Sequence, residues 1–163
     1  MSDQTDYTAS FTFDKTPEEI FKAVTNPRAW WGAGIKGATE KQGDKFTFEV
    51  PGTHYSKQEL IEVIPNQRVV WLVSESNLTF LEQRDEWDGT KIVFDISNED
   101  GKTKLTFTHI GLRPDVECYN FCAPGWDQYV KGSLHQLIET GKGAPFAEVE
   151  KKLKQHNEDV KKK

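Results

Sequence analysis

The segment from Pro124 to Gly143 has the apolar spacing of a long helix, and it follows a stretch in which apolar and polar residues mostly alternate. Trp126, Val130, Leu134 and Leu137 recur at helical spacing and give this helix one large apolar face. Such a face must pack against another layer, and the alternating residues before it predict an antiparallel sheet. A single helix on a curved sheet leaves a hollow wherever the facing side chains do not fill the space, so we predict a binding site there.

Alternation and turn signals predict the other elements. The residues Thr16 to Glu19 combine a capping residue, a proline and a glutamate, which predicts a first helix that ends at Asn26. Pro27 then precedes a short helical turn, Arg28–Gly32, whose two adjacent tryptophans we expect to face in different directions. The segment Ser74–Gly89 is open between a strand extension and a mobile lid. Strands are predicted at Tyr7–Phe13, Phe46–Val50, His54–Ile64, Arg68–Val73, Ile92–Ser97 and Lys104–His109.

Length and composition indicate one compact domain. The chain has 163 residues, of which 36% are hydrophobic, and this is enough to bury a core without disulfides or metals. We place the domain at residues 1–146 and interpret residues 147–163 as a charged C-terminal helix or tail. The order of elements predicts an α+β fold with a strand, two short helices, about six antiparallel strands and one long helix.

Charge and cysteine spacing argue against several partners. The formal net charge of −5 disfavours nucleic acid, because phosphate backbones attract basic proteins. No apolar run is long enough for a membrane span or an export signal, so we expect no membrane partner. Cys118 and Cys122 are one helical turn apart, where a disulfide is geometrically awkward, so we expect free thiols and a cytoplasmic location. Gly32 and Gly34 lack the lysine and the spacing of a phosphate loop, and we predict no cofactor.

Candidates for acid–base or metal chemistry are few. His54 and His109 lie on predicted strands, and either would act as a base near neutral pH if it faced the hollow. A lone strand histidine is more often a satisfied polar residue, since nothing in the spacing fixes a partner. Two cysteines with a histidine are a weak zinc signal, so we predict no metal site. The charged run Glu82–Glu86 is expected to be an exposed loop, with a gate over the hollow as the alternative.

Four segments together resemble the START-like (SRPBCC) superfamily, and within it the branch named for activators of the heat-shock protein 90 ATPase. They are FTFDKTPEEIFKAVTNPRAWW near the start, EWDGTKIVFDI and TKLTFTHIGL in the predicted hairpin, and GWDQYVKGSLHQLIETGKG at the end. The resemblance covers Tyr7 to Phe146 and implies the helix-grip fold, in which a curved sheet of about six to seven strands wraps around a long C-terminal helix. It is specific for fold and unspecific for function, because the superfamily includes lipid carriers, hormone receptors, aromatic cyclases, hydroxylase subunits and cochaperones.

Three functions follow from these patterns, and we rank binding of a small hydrophobic or aromatic ligand first. The alternatives are a protein-interaction module of the cochaperone kind, and a cyclase- or hydrolase-type enzyme that uses a cavity histidine. The resemblance implies that two tryptophans and Phe48 lie near the mouth of the cavity and that the long helix faces it. We predict that the ligand-binding residues are Trp30, Trp31, Phe48, Trp71, Phe94, Phe107, His109, Trp126, Tyr129 and Ser133.

Overall fold

A seven-stranded antiparallel sheet organises the chain. The computed structural model describes residues 6–143 except 33, 51, 80 and 83, and within them the sheet has the strand order β1-β7-β6-β5-β4-β3-β2. The first strand therefore pairs with the last, and the short β2 forms the opposite edge. The bounds are β1 (Tyr7–Phe13), β2 (Ile35–Gly37), β3 (Lys45–Val50), β4 (His54–Ile64), β5 (Arg68–Leu78), β6 (Lys91–Glu99) and β7 (Lys102–Ile110).

Helices pack against one face of this sheet. Two short helices, α1 (Pro17–Val24) and α2 (Pro27–Trp30), follow β1. A long C-terminal helix is continuous but changes geometry along its length, and we call its three segments the closing helix. They are α3 (Tyr119–Trp126), a π-helical segment (Asp127–Leu134) and α4 (His135–Thr140). The predicted α+β helix-grip architecture is thus confirmed, while the predicted tail at 147–163 lies outside the described residues.

The start of α1 is a complete capping box, as predicted. The Thr16 hydroxyl accepts a hydrogen bond from the Glu19 N–H at 3.1 Å, and the Glu19 carboxylate accepts one from the Thr16 N–H at 2.9 Å. These bonds satisfy donors that the first turn of a helix leaves free. The helix ends at Val24, two residues before the predicted Asn26. It presents Ile20 and Val24 to the core and sets the direction of α2.

The expectation that Trp30 and Trp31 face different ways is wrong. Both side chains are buried, and their rings stack with centroids 6.3 Å apart and an angle of 17° between the planes. Helix α2 ends at Trp30 and packs against the closing helix. The interior of the protein is therefore next to both residues of this short turn. Both tryptophans therefore enter the interior.

The segment Ser74–Gly89 continues the sheet and then turns back onto it. Strand β5 extends to Leu78, which is the strand extension considered from the sequence. The Leu78 N–H then bonds to the Arg84 carbonyl at 2.8 Å, and Leu81 and Trp87 are buried.

The next hairpin, β6–β7, closes at Asp100 and Gly101, which both have positive φ. That conformation is typical of the tight turns that join antiparallel strands.

The π-helical segment changes the inward stripe of the closing helix. Trp126, Val130, Leu134 and Ile138 are buried at intervals of four residues, whereas the predicted Leu137 is only partly buried. A π-helix forms i→i+5 hydrogen bonds and so has more residues per turn than an α-helix, which moves the stripe from Leu137 to Ile138. None of the described helices combines the length and apolarity needed to cross a membrane.

Candidate functional site: the aromatic interior beneath the closing helix

Aromatic rings from three parts of the fold meet between the sheet and the closing helix. Trp31 of the α2 turn stacks on Phe48 of β3 at 4.2 Å, lies 5.8 Å from Trp71 of β5, and contacts Trp126 of the closing helix at 5.1 Å, measured between ring centroids. Trp30 stacks on Trp71 at 6.2 Å with an angle of 9° between the planes. The predicted hollow is therefore occupied at this point by rings in direct contact.

The predicted binding residues lie on all sides of this interior. Phe94 and Phe107 are buried on neighbouring strands with centroids 5.3 Å apart. Tyr129 is partly buried and makes an edge contact with Trp126. Ser133 is also buried, but its hydroxyl lies beside Gly143 instead of among the clustered rings. The structure thus brings nine of the ten predicted residues into one aromatic cluster and places Ser133 near its end. The nine are Trp30, Trp31, Phe48, Trp71, Phe94, Phe107, His109, Trp126 and Tyr129.

His109 holds the closing helix against the sheet through a chain of hydrogen bonds. The Trp126 indole N–H donates to His109 Nδ1 at 3.0 Å. Because an indole only donates, Nδ1 carries no proton, and the neutral ring bears its proton on Nε2. This N–H donates to the Thr90 hydroxyl at 2.9 Å, and that hydroxyl donates to the Trp87 carbonyl at 2.7 Å. We call these four groups the His109 chain.

The His109 chain argues against a catalytic role for this histidine. Burial lowers the pKa of His109 to about 3, with the nearby Asp6 carboxylate acting in the opposite direction and His54 adding to the decrease. The one nitrogen able to take a proton already accepts the Trp126 N–H. His109 therefore positions Trp126 and is not available as a general base.

A row of polar side chains crosses the same interior on β4. His54, Ser56 and Gln58 alternate along the strand and so share its inward face, and Ser56 and Gln58 are fully buried. The Gln58 amide donates to Ser56 Oγ at 2.6 Å, and His54 Nε2 lies 2.9 Å from the same oxygen. Burial lowers the pKa of His54 to about 4, so its ring is neutral at pH 7. We call these three residues the polar strip.

Four buried polar side-chain atoms of this interior find no hydrogen-bond partner within the described part of the chain. They are Gln58 Oε1 and the indole nitrogens of Trp30, Trp71 and Trp87. A buried polar atom without a partner is unfavourable by about 1–3 kcal/mol, and native structures contain few of them. The strip therefore contains a side-chain atom of its own without a partner, Gln58 Oε1, whereas the hydrogen bonds of the His109 chain are complete.

The charged run Glu82–Glu86 ties the strand region to the start of the closing helix. The Glu86 carboxylate accepts hydrogen bonds from the N–H groups of Glu117 and Cys118 at 2.9 and 2.7 Å. The Glu117 carboxylate in turn accepts the Glu82 N–H at 2.9 Å. The run is thus more than an exposed loop, because it satisfies backbone donors at the helix start.

Cys118 and Cys122 lie across the first turn of α3 with their sulfur atoms in contact and their Cα atoms 5.5 Å apart. This Cα separation lies within the range that disulfides span, so the one-turn spacing is a weaker argument for free thiols than the sequence indicated. Among the described side chains, no group of three or more histidines, cysteines or carboxylates is arranged to hold a metal ion.

Sequence reasoning missed Trp87, Ser56 and Gln58 as parts of the site. The signal for the last two was available, since Ser56, Gln58 and Leu60 alternate on β4 and Leu60 fixes the inward face. Trp87 gave no comparable signal. It reaches the interior through the turn after β5, where its ring lies 5.0 Å from that of His54 and 4.8 Å from that of His109.

Comparison with known proteins agrees with this architecture. Residues 14–139 match the family model described as activator of Hsp90 ATPase homolog 1-like protein. The chain belongs to this family. The match begins directly after β1 and ends within α4 of the closing helix, so it includes the polar strip and the His109 chain.

Solved structures share the fold at low sequence identity. The Aha1 dimer from Colwellia psychrerythraea, a solution structure, is 24% identical, with a TM-score of 0.68 over 85% of this chain and 99% of that one. The protein MLL2253 from Mesorhizobium loti is 21% identical, with a TM-score of 0.65 over 83% and 97% of the two chains. CalU16 from Micromonospora echinospora is 16% identical, with a TM-score of 0.58 over 85% and 76%. Comparison with curated protein sequences gives no significant match.

Proposed function

We propose that this protein binds a small hydrophobic or aromatic molecule between the sheet and the closing helix. The observation that carries the proposal is the polar strip, which is buried in an interior otherwise walled by aromatic rings. Sites for small molecules combine apolar and aromatic walls with a few fixed polar groups. A core used only for packing has no need of His54, Ser56 and Gln58, and the inward positions of β6 carry apolar residues instead.

Binding at this place requires some of the ring contacts to open. Trp31 and Trp126 contact each other across the interior, one from α2 and one from the closing helix. A ligand that entered between them would keep aromatic surface on both sides and would gain the polar strip below. The proposal therefore predicts that binding changes the fluorescence of the buried tryptophans.

Native mass spectrometry of the protein purified from its own host tests the proposal. We expect a population whose mass exceeds that of the chain by one small organic molecule. A Ser56→Leu variant, which fills the strip, should lose this population. A Ser10→Leu variant makes the same change on the exposed face of β1 and should keep it. Absence of any bound molecule, together with unchanged tryptophan fluorescence across a panel of aromatic compounds, would overturn the proposal.

A protein-interaction role is the second candidate, and the family description favours it. On the surface of α3, Phe121 is 61% exposed and offers an apolar side chain to a partner. If this role holds, the protein should stimulate the ATPase of the heat-shock protein 90 from its own host, and Phe121→Ser should reduce the effect. Lack of stimulation by the unaltered protein would exclude that activity.

Two earlier expectations remain proposals with less support. Catalysis by a cavity histidine rests on His54 alone, and its lowered pKa makes it a weak base. A cytoplasmic location was inferred from free thiols, and the contact between the Cys118 and Cys122 sulfur atoms weakens that argument.

A further inference from the structure

We propose that the ligand carries a hydroxyl group on an aromatic ring, and that Gln58, Trp71 and Trp30 recognise this hydroxyl. The inference rests on the proposed binding function and adds the chemistry of the ligand. It starts from buried polar atoms that have no partner among residues 6–143 as described, namely Gln58 Oε1 and the indole nitrogens of Trp71 and Trp30.

These three residues are neighbours on the inward side of the fold. Leu60 of β4 is paired with Trp71 of β5, so Gln58, two positions before Leu60, is the diagonal neighbour of Trp71. Diagonal positions on one face are about 7–8 Å apart at Cα, within the combined reach of a glutamine and a tryptophan side chain. Trp30 then stacks almost parallel on Trp71.

The set of free atoms calls for a group that both donates and accepts. The indole nitrogens only donate, so they need an acceptor. Gln58 Oε1 only accepts, so it needs a donor. The Gln58 amide nitrogen already donates to Ser56, so the oxygen is the amide atom left over. A hydroxyl has one donor and two acceptor sites and can satisfy an amide and two indoles together.

The surroundings indicate that the hydroxyl belongs to an aromatic ring. Phe46 lies edge-on to Trp71 with centroids 5.0 Å apart, and Phe94 lies edge-on to the same ring at 4.8 Å. A ligand that reaches the Trp71 indole therefore meets aromatic rings around it, and aromatic pairs favour a flat ring in such a setting. The described side chains nearest Gln58 along the strip are the neutral Ser56 and His54, and a neutral hydroxyl suits this setting better than a charged group.

The polar strip also fixes the position of the Gln58 side chain before any ligand binds. Its amide nitrogen is fixed by the 2.6 Å bond to Ser56 Oγ, and Ser56 is in turn held by His54. The third free donor, Trp87 Nε1, belongs to a ring that contacts His54 at the other end of the strip. A fixed polar group loses little freedom on binding, which favours recognition.

Two probes of equal shape test the inference: 2-naphthol, which has the hydroxyl, and 2-methylnaphthalene, which has a methyl group in its place. We expect the unaltered protein to bind 2-naphthol about tenfold more tightly by tryptophan fluorescence and calorimetry, the effect of about one hydrogen bond. Gln58→Met should remove this preference by weakening 2-naphthol alone. Gln67→Met makes the same change on the exposed β4–β5 turn and should keep the preference.

Each outcome separates the inference from the proposed function. Equal affinity for the two probes would show that a buried water or nothing satisfies these atoms, and it would overturn the hydroxyl while leaving aromatic binding intact. The inference also fails if neither probe binds a protein that carries a small molecule in native mass spectrometry. If neither probe binds and no molecule is carried, the proposed function itself fails. If Gln58→Met does not fold, Trp71→Phe, which removes one indole N–H, should show the same loss of preference.

Discussion

Two parts of one interior treat their polar groups in opposite ways. Between β7 and the closing helix, the Trp126 indole, His109 and Thr90 form a chain in which every donor has an acceptor. Between β4 and β5, the Gln58 oxygen and the Trp71 indole are equally buried but have no partner within the described chain. Both parts are walled by tryptophan, so aromatic content alone does not mark a binding site. The difference lies in whether the hydrogen bonds are completed by the fold.

The comparison assigns different roles to similar residues. A saturated buried network stabilises one arrangement of the chain, and the His109 chain does so by joining the closing helix to the sheet. An unsaturated one lowers stability and persists where another molecule completes it. His109 was predicted to bind ligand, and this stays a prediction, while its complete set of bonds positions Trp126.

The largest expected effect is on stability at acid pH. Burial lowers the pKa values of His54 and His109 to about 4 and about 3, below the ordinary 6.5 of an unfolded chain. Between pH 6.5 and pH 4 the unfolded state therefore binds more protons, so stability is full above pH 6.5 and falls as the pH decreases. Each histidine contributes up to about 1.4 kcal/mol per pH unit, and together they should remove about 4 kcal/mol between pH 7 and pH 5. Urea unfolding at these pH values measures the change.

A variant isolates the part due to the His109 chain. His109→Asn keeps an acceptor for Trp126 and removes one titrating ring, so its loss of stability between pH 7 and pH 5 should be about 2 kcal/mol smaller than that of the unaltered protein. An equal loss in the two proteins would show that His109 is not buried as a neutral ring.

The second effect tests the saturated side at constant pH. In His109→Met the side chain keeps a similar volume, but the Trp126 indole N–H and the Thr90 hydroxyl lose their partner. We expect the free energy of unfolding at pH 7 to fall by about 2–3 kcal/mol, because the buried Trp126 donor is left unsatisfied and the Thr90 oxygen loses the bond it accepts. Denaturant unfolding measures the loss. A decrease below about 0.5 kcal/mol would contradict the assigned role, since surface changes have effects of that size.

The sequence predicts local features of this fold better than the contents of its interior. The capping box of α1 depends only on Thr16 and Glu19, which are close in the chain, and it forms as predicted. The fates of Trp30 and Trp31 depend on the closing helix, about a hundred residues later, and local spacing gave the wrong answer for them. The π-helical turn likewise moved the inward stripe from Leu137 to Ile138, because a change in helical period leaves no clear mark in the residues themselves.

The candidate site shows the same division. Aromatic residues at strand period, such as Phe94 and Phe107, were placed correctly in the interior because each strand fixes its own inward face. Whether a buried polar atom finds a partner depends on distances across strands, so the contrast between His109 and Gln58 could not be predicted. Each is a polar residue on a strand in which inward and outward positions alternate. Only the folded structure shows that the hydrogen bonds of His109 are complete and that Gln58 Oε1 has no partner within the described chain.

The smallest expected effect is that of Gln58→Met on stability. It gives the sharpest comparison, because methionine replaces a polar residue on the side whose hydrogen bonds are incomplete, as it does on the complete side in His109→Met. Gln58→Met removes the unpartnered Oε1 and also the bond from the amide to Ser56, which keeps His54 as a partner. The penalty for a buried unsatisfied atom and the benefit of one hydrogen bond are of similar size, so the free energy of unfolding should change by less than about 1 kcal/mol, or increase. His109→Met under identical conditions is the matched control. A loss as large as that of His109→Met would show that Gln58 stabilises the fold, and the polar strip would then be structural.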